Sequence, residues 1–489
     1  MSGGSSTQTT GYRYYLGLHM GLCLGPVDAV TELRVADRVA WTGNVTDNDS
    51  VTIDAEELFG GEEREGGIRG TLDIMMGGPS QAPNSYLQSV QGTPQPGYRG
   101  LLSLVFRRGL VSANNPYIKP WATKVRRVLK GWHNDDAWYT AKAAITVTGG
   151  EIAMNPAHII YEALTNPNWG MRSSISMIDD ANFRAAADIF YGEGLGLCMV
   201  WTRQEPIEDF VAVVLDHAGA NLVQDRRTGL FRLVPIRGGY DVGSLPIFDE
   251  SNILTLDRYE RPDLEQAVNE VTVSYDDVNT GATGSITVHN LANITAQGGT
   301  VTQGRNYPGL PTADLAMRVA LRDLKAVSTP LAKAQITVNR EGYATLPGDV
   351  IRLSWPKLGL VGLVMRVLDV RYGTAGSGKV SMQLAQDVFG LPATAYTAQQ
   401  ATGWTDPQNA PQAVVSRLVD EATYWELVRQ LGADAAAALD PDVGYVIAAA
   451  VRPSGDAFDY SMRTRTSTNP YVEHEIGRAS CRERVSSPV

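Results

Sequence analysis

The chain has 489 residues, a formal charge of -11 and a pI near 5.2, a balance that disfavours bulk binding to nucleic acid. Hydrophobic content of 43% against 19% charged fits a globular protein with a large core, divided into about three domains at roughly 150 residues each. No apolar run is long and uncharged enough to span a bilayer as a helix.

Residues 1–10, MSGGSSTQTT, lack a basic-then-apolar signal and are expected to be a disordered lead-in. Residues 11–149 are expected to form a first β-rich domain. Glu32 to Val35 and Arg38 to Trp41 flank Ala36-Asp37, the pattern of a tight hairpin. Gly60 to Gly67 is predicted to be a solvated loop between strands. Further strands are predicted at Leu101 to Arg107 and at Trp121 to Leu129, with a turn at Asn114-Asn115-Pro116. Cys23 and Cys198 each lie in an apolar setting and are expected to be buried thiols rather than a disulfide.

Residues 150–244 change period and are expected to be a helical insertion with a small sheet. In NPAHIIYEALTNPNWG, Asn155 can cap a helix and Pro156 suits its first position. Ile159, Ile160, Ala163 and Leu164 make one apolar face, and Asn166-Pro167 stops it. Asp179 caps a second helix, with Ile178 and Phe183 as a hydrophobic staple and Gly192 after the last turn. A third helix is predicted from Ile207 to Ala218, stopped by Gly219. Thr228-Gly229 then turns a hairpin.

Residues 245–392 return to period two and are expected to form a second, barrel-like β domain. Val271, Val273 and Tyr275 alternate with polar residues, as do Ile336 and Val338, and Val380, Met382 and Leu384. One helix, Ala313 to Lys325 capped by Thr312, interrupts them. The turn Leu346-Pro347-Gly348-Asp349 leads into a strand. Residues 393–412 have the composition of a linker. Residues 413–474, with a short helix around Tyr424 to Leu431 and a strand from Tyr445 to Val451, are expected to begin a further, truncated domain. Residues 475–489 stand apart: Glu475 to Val485 reverse-translates into a common sequencing-library adapter, so this stretch, with Cys481, is expected to be artefactual. The whole pattern predicts an α+β fold, mainly β, with two antiparallel barrel-like domains around a small helical insertion.

Motifs that could carry chemistry are few. Gly373 to Lys379 fits GxxxxGK, but Val380 follows where a phosphate-binding loop needs a hydroxyl, and the next residues alternate as a strand rather than opening a helix. A hairpin tip is therefore predicted. His19, His133, His158, His217 and His289 never fall at metal-ligand spacing. Asp135-Asp136, Asp179-Asp180 and Asp276-Asp277 are adjacent pairs, which face opposite ways on a strand and form no dyad unaided. Asp179-Asp180 fits helix capping and Asp276-Asp277 a strand end. Lys124 to Lys130, followed by Trp132 and Trp138, is a basic run with aromatics; a strand with a solvated or interface face explains it better than nucleic-acid binding. No catalytic, cofactor-binding or metal-binding residue is assigned.

Four segments resemble one family: GYRYYLGLHMGLCLGPVDAV at Gly11 to Val30, NNPYIKPWATKVRR at Asn114 to Arg127, NPAHIIYEALTNPNWG, and PGDVIRLSW at Pro347 to Trp355. Together they look like the tail-tip attachment proteins of long-tailed bacteriophages, which are similar to baseplate hub proteins. The resemblance implies two hub barrels with a helical insertion, a homotrimer around the tail axis, and no catalytic motif. It implies a virion protein made in the host cytoplasm, with tail tube, tape measure and tip proteins as partners. Contact with the host surface would be indirect, and nucleic acid would be met only as the passing genome. Two rival readings are a tail-associated glycan-degrading enzyme, whose repeated β-helix rungs are not seen here, and a receptor-binding adhesin, which predicts an autonomous tip domain.

Overall fold

The computed structural model describes residues 11–390 apart from 63, 116, 134–136, 203, 264–266 and 375, and then 397–398, 417–440, 445–451, 460–464, 472–476 and 485–488. The expectations for residues 1–10, for Asp135-Asp136, for most of the 393–412 linker and for Cys481 lie outside the described residues. The fold is α+β and mainly β, as the sequence predicts. Residues 1–399 and 400–489 form two compact units.

The first unit begins with two facing sheets. One contains β1 (Arg13–Leu24), β4 (Asp49–Ala55), β5 (Ile68–Met75) and β6 (Leu101–Ala113), in the order β1-β6-β5-β4. The other has β3 (Arg38–Val45), β2 (Ala29–Val35) and β7 (Trp121–Arg126), in the order β3-β2-β7. The β2–β3 hairpin turns where predicted, with φ of 46° at Ala36 and 62° at Asp37. Left-handed geometry at both central residues matches the twist of the flanking strands. Leu33, Val35, Ile53, Leu72, Leu104 and Phe106 fill the space between the sheets. A helix, α1 (Ser85–Gln91), escapes the sequence pattern because only Leu87 is buried on it. Its cap, Asn84, also donates to the Asp73 carboxylate (2.8 Å), which pairs with Arg107 (2.9 Å).

After a small hairpin of β8 (Ala144–Thr146) and β9 (Ile152–Met154) come α2 (Pro156–Thr165), α3 (Asp180–Gly192) and α4 (Ile207–Ala218), then the hairpin β10 (Ala220–Gln224) and β11 (Phe231–Pro235). Asn155 caps α2 by accepting from the Ala157 N–H (3.0 Å). Its amide donates to the Lys142 and Ala187 carbonyls, so the cap also ties α2 to α3. Asp179 caps α3, and Ile178 and Phe183 are both buried as a staple requires. Helix α3 runs through Gly192, one turn position beyond the expected stop; the left-handed residue is Gly194 (φ 62°). Gly219 ends α4 at φ 60°, as predicted.

The core of these helices does not stop at residue 245. It continues into β14 (Glu270–Asp276), β15 (Thr283–His289) and α6 (Ala313–Val327), through Val271, Val273, Val288, Leu315 and Val319. Periodicity showed that β14 has an apolar face; it could not show which element that face meets. Between β15 and α6 lie α5 (Leu291–Gln297), which buries none of its own residues and so leaves no apolar period to read, and β16 (Thr302–Asn306), parallel to β14.

Six further strands make one strongly curled sheet. They are β12 (Ile247–Phe248), β13 (Ile253–Glu260), β17 (Lys333–Val338), β18 (Val350–Trp355), β19 (Leu360–Arg371) and β20 (Val380–Gln386), in the order β12-β18-β19-β20-β17-β13. The two edge strands, β12 and β13, are joined by only four residues. The Asn252 side chain accepts from the Asp249 N–H (2.8 Å) and pins that corner. One bent stretch of chain therefore pairs with β18 through β12 and with β17 through β13, curling the sheet into a barrel-like shape. Ile336, Val338, Ile351, Leu353, Met365, Val367 and Met382 fill it.

In the second unit, β21 (Arg417–Glu421) pairs with β22 (Tyr445–Ala450), and α7 (Tyr424–Leu431) starts with a capping box between Thr423 and Glu426. Helix and strand stand where the sequence places them, and Gly432 follows the helix.

Candidate interaction surfaces

The described motifs weighed for chemistry serve structural roles. His158 on α2 is fully buried among Trp132, Trp138 and Tyr139, with Nε2 against the Tyr139 carbonyl at 3.1 Å. Burial pushes its pKa down to about 4, against the opposing pull of the Tyr139 carbonyl. His217 on α4 is equally enclosed. Its Nε2 accepts from the Gly309 N–H (3.1 Å), which fixes the proton on Nδ1, donated to the Val213 carbonyl (2.7 Å). Burial lowers the pKa of His217 as well. Both are neutral packing groups. Among the described residues no cluster of three or more His, Cys, Asp or Glu is placed to hold a metal ion.

Asp179 accepts from the Asn182 N–H, while Asp180 is engaged by Arg184 and by the Trp138 indole N–H (2.8 Å). Asp276 ends β14, and Asp277 closes the following turn through the Asn279 N–H. The GxxxxGK segment joins β19 to β20 as a hairpin, Arg371 facing Ser381 across the ladder. No helix follows it, so there is no set of free amides to cradle phosphate. Its residue Ala375 lies outside the described residues.

Three of the four basic residues of the run, Lys124, Arg127 and Lys130, have internal partners. Lys124 pairs with Glu151 (2.6 Å), Lys130 donates to the Thr46 carbonyl (2.8 Å), and Arg127 clamps Glu162 with two bonds of 3.0 and 2.6 Å. Glu162 is buried on α2, so this clamp fastens the helices to the end of β7. Trp132 is buried and donates to the Val128 carbonyl, and Trp138 stacks on Tyr161 at 4.4 Å. These rings are not free to stack on bases.

The cysteines divide. Cys198 is half-buried, and burial pushes its thiol up to about 11. Cys23 is exposed on β1, contrary to the expectation of a buried thiol. Its apolar sequence neighbours, Leu22 and Leu24, are exposed too, because β1 is a sheet edge.

What remains is unsatisfied apolar surface. The β18–β19 connection exposes Leu358, and Val361 at the start of β19 is 85% exposed, flanking Leu360 between Gly359 (φ 68°) and Gly362 (φ 62°). Trp355 lies beside it with Lys357 over its ring at 5.6 Å. The apolar run Leu358 to Val367 thus divides into an inward half in the barrel core and an outward tip. The polar face of β14 is engaged within the sheet. The strand is paired on both sides, by β15 and β16, and Thr272 is bonded to Thr287 and Ser274 to Asn306.

Residues 206–369 match the family described as putative phage tail protein, which bears out the resemblance at the level of the family. No curated protein matches the chain. Among solved structures it is similar to a chain in the virion of a native gene transfer agent particle. That likeness has 14% identity and a TM-score of 0.54, and covers 79% of this chain and 82% of that one. It is a likeness of fold. Fainter similarities link it to the tail protein from Neisseria meningitidis MC58 (12% identity, TM-score 0.33, 74% of this chain and 98% of that one). The 43 kDa tail protein of prophage MuSo2 from Shewanella oneidensis is similar at 11% identity and TM-score 0.31, over 74% of this chain and 98% of that one.

Proposed function

We propose that this chain, a phage tail protein by the match over residues 206–369, is a structural component of the tail tip of a phage or prophage. In this reading it forms, as a homotrimer, the hub that links the tail tube to host-attachment parts, and it performs no catalysis. The hub domains are residues 11–149, with the facing sheets, and residues 245–392, which include the barrel strands β12, β13 and β17 to β20, with residues 150–244 as the insertion between them. Its neighbours are tube, tape-measure and tip proteins of the same virion, and the genome only passes by.

The observation that carries the reading is the pairing of that match with a barrel-like sheet whose β18–β19 hairpin exposes Leu358 and Val361. Exposed apolar side chains on a hydrogen-bonded sheet suit contact with a neighbouring subunit. A ring needs an interface between unlike surfaces whose rotation closes, and a stable one buries at least about 1,000 Å².

Val361→Glu tests it. Because the side chain already faces water, the variant should keep the melting temperature of the free chain to within about 2 °C. Its incorporation into tails should fall at least about tenfold, since a buried unpaired carboxylate costs several kcal/mol. Wild-type incorporation of this variant would remove the hairpin tip from the interface.

A further inference from the structure

We infer that the segment from Ile236 to Pro246, which leads from the helical module into the barrel-like sheet, is a latched strap and not a hinge, with the buried Arg366 as its bolt. Module and sheet then move as one rigid body, and the β18–β19 hairpin is held at a fixed angle to α3 and α4. The latch does not depend on where in a tail the chain stands. Composition alone suggests the reverse. Arg237-Gly238-Gly239-Tyr240 places two adjacent glycines between two folded elements, as a flexible joint would. Between β11 and β12 the segment holds only one short 3-10 turn, Val242–Ser244.

Arg237 fastens the strap to the module. Its guanidinium grips Glu193 with two bonds of 2.6 and 2.9 Å and donates to the Ala218 and Gly219 carbonyls, each at 2.9 Å. Glu193 follows the last turn of α3, and Ala218 and Gly219 end α4. One cation therefore ties the C-termini of both helices, where the helix dipoles favour positive charge.

Arg366, on β19, takes hold of the same residue from the sheet. Its side chain is buried and donates to the Arg237 carbonyl (2.9 Å), the Gly348 carbonyl (2.8 Å) and the Asp387 carboxylate (3.2 Å). Asp387, also buried, follows β20 and accepts from the Tyr240 hydroxyl as well. A buried ion pair adds little stability over apolar residues of the same volume; what it fixes here is geometry. Further along, Arg352 on β18 donates to the Gly243 and Leu245 carbonyls, at 3.1 and 3.0 Å. Swinging the strap away from the sheet would break the Arg366, Tyr240 and Arg352 contacts together.

Backbone packing points the same way. A Cβ on Gly238 would sit 2.1 Å from the Phe389 carbonyl oxygen, so the strap lies directly against the chain that leaves β20. A Cβ on Gly348, at φ 95°, would sit 2.9 Å from the Val234 side chain, so the turn before β18 leans on β11. The segment PGDVIRLSW thereby gains a role that its sequence does not state. Its turn presents the Gly348 carbonyl to Arg366, and the strand that follows brings Arg352 to the strap.

The test is pulsed dipolar spectroscopy on the full chain carrying Cys23→Ser, Cys198→Ala and Cys481→Ser, with spin labels at Ala212→Cys on α4 and Leu368→Cys on β19, both exposed positions. This parent should give one narrow distance distribution. Arg366→Met/Asp387→Leu replaces the buried pair with apolar side chains and should widen the distribution at least about twofold. Amides of β17 and β20 should meanwhile keep their exchange rates within about threefold, which shows that the sheet itself is intact. Tyr240→Phe/Arg352→Met leaves the buried pair in place and should widen the distribution by less. The first variant decides if its sheet stays protected, and the second decides if it does not. A broad distribution in the parent, or an unchanged width in the deciding variant, would overturn the latch and leave the tail reading standing.

Discussion

Phe183→Ala should destabilise the helical module by about 3–5 kcal/mol, the largest effect expected of any single core substitution here. Phe183 is fully buried, the first apolar residue of α3 and half of the staple with Ile178. Its ring meets Trp138 at 6.3 Å and Tyr161 at 6.2 Å, both edge-on. Truncation removes those contacts and leaves a cavity that the caged rings around it cannot easily fill, because Tyr161 is stacked on Trp138 and Trp138 is held by Asp180. The same core reaches β14 and α6, so the loss should spread beyond α2 to α4. Urea unfolding followed by exchange at amides of 156–218 and 271–288 checks it. A loss below about 1 kcal/mol, or one confined to α3, would show that this core is not continuous.

Acid should weaken the same module through His158. In the unfolded chain the imidazole titrates near 6.5, and in the folded protein burial holds it at about 4. Above 6.5 both states are neutral and the stability is fully present. Between 6.5 and about 4 the unfolded chain binds a proton that the folded chain refuses, so stability falls as pH falls; below about 4 this group adds no further loss. At roughly 1.4 kcal/mol per pH unit the whole loss is about 3 kcal/mol. His217, lowered in the same direction by burial, adds to the loss as pH falls below 6.5. In His158→Leu the fall between pH 6.5 and 4 should shrink by about 3 kcal/mol. An unchanged profile in that variant would mean that other groups carry the acid sensitivity.

The parts of the fold legible in the sequence are those with local causes. Asn155-Pro156, Asp179 with its staple, Thr312, and Gly219 act within one helical turn, and each stands where the pattern puts it. The Ala36-Asp37 hairpin is likewise a property of two residues. Elements that bury little escaped: α1 has one buried residue and α5 none. Long-range facts escaped for a different reason. Alternation in Val271, Val273 and Tyr275 announces a buried face without naming α6 as its cover. The barrel-like curl depends on Ile247–Phe248, a strand too short to leave a period. Exposure escaped as well. The exposure of Cys23, in an apolar stretch of sequence, follows from the edge position of β1, which only the sheet order reveals.

The most direct measurement is an electron cryomicroscopy reconstruction of the assembled tail that carries this chain. The proposed function predicts three copies at the tip, with the barrel strands of residues 245–392 meeting a neighbouring copy through the Leu358 to Gly362 hairpin. Finding the chain away from the tip, or in sixfold copies along the tube, would contradict it.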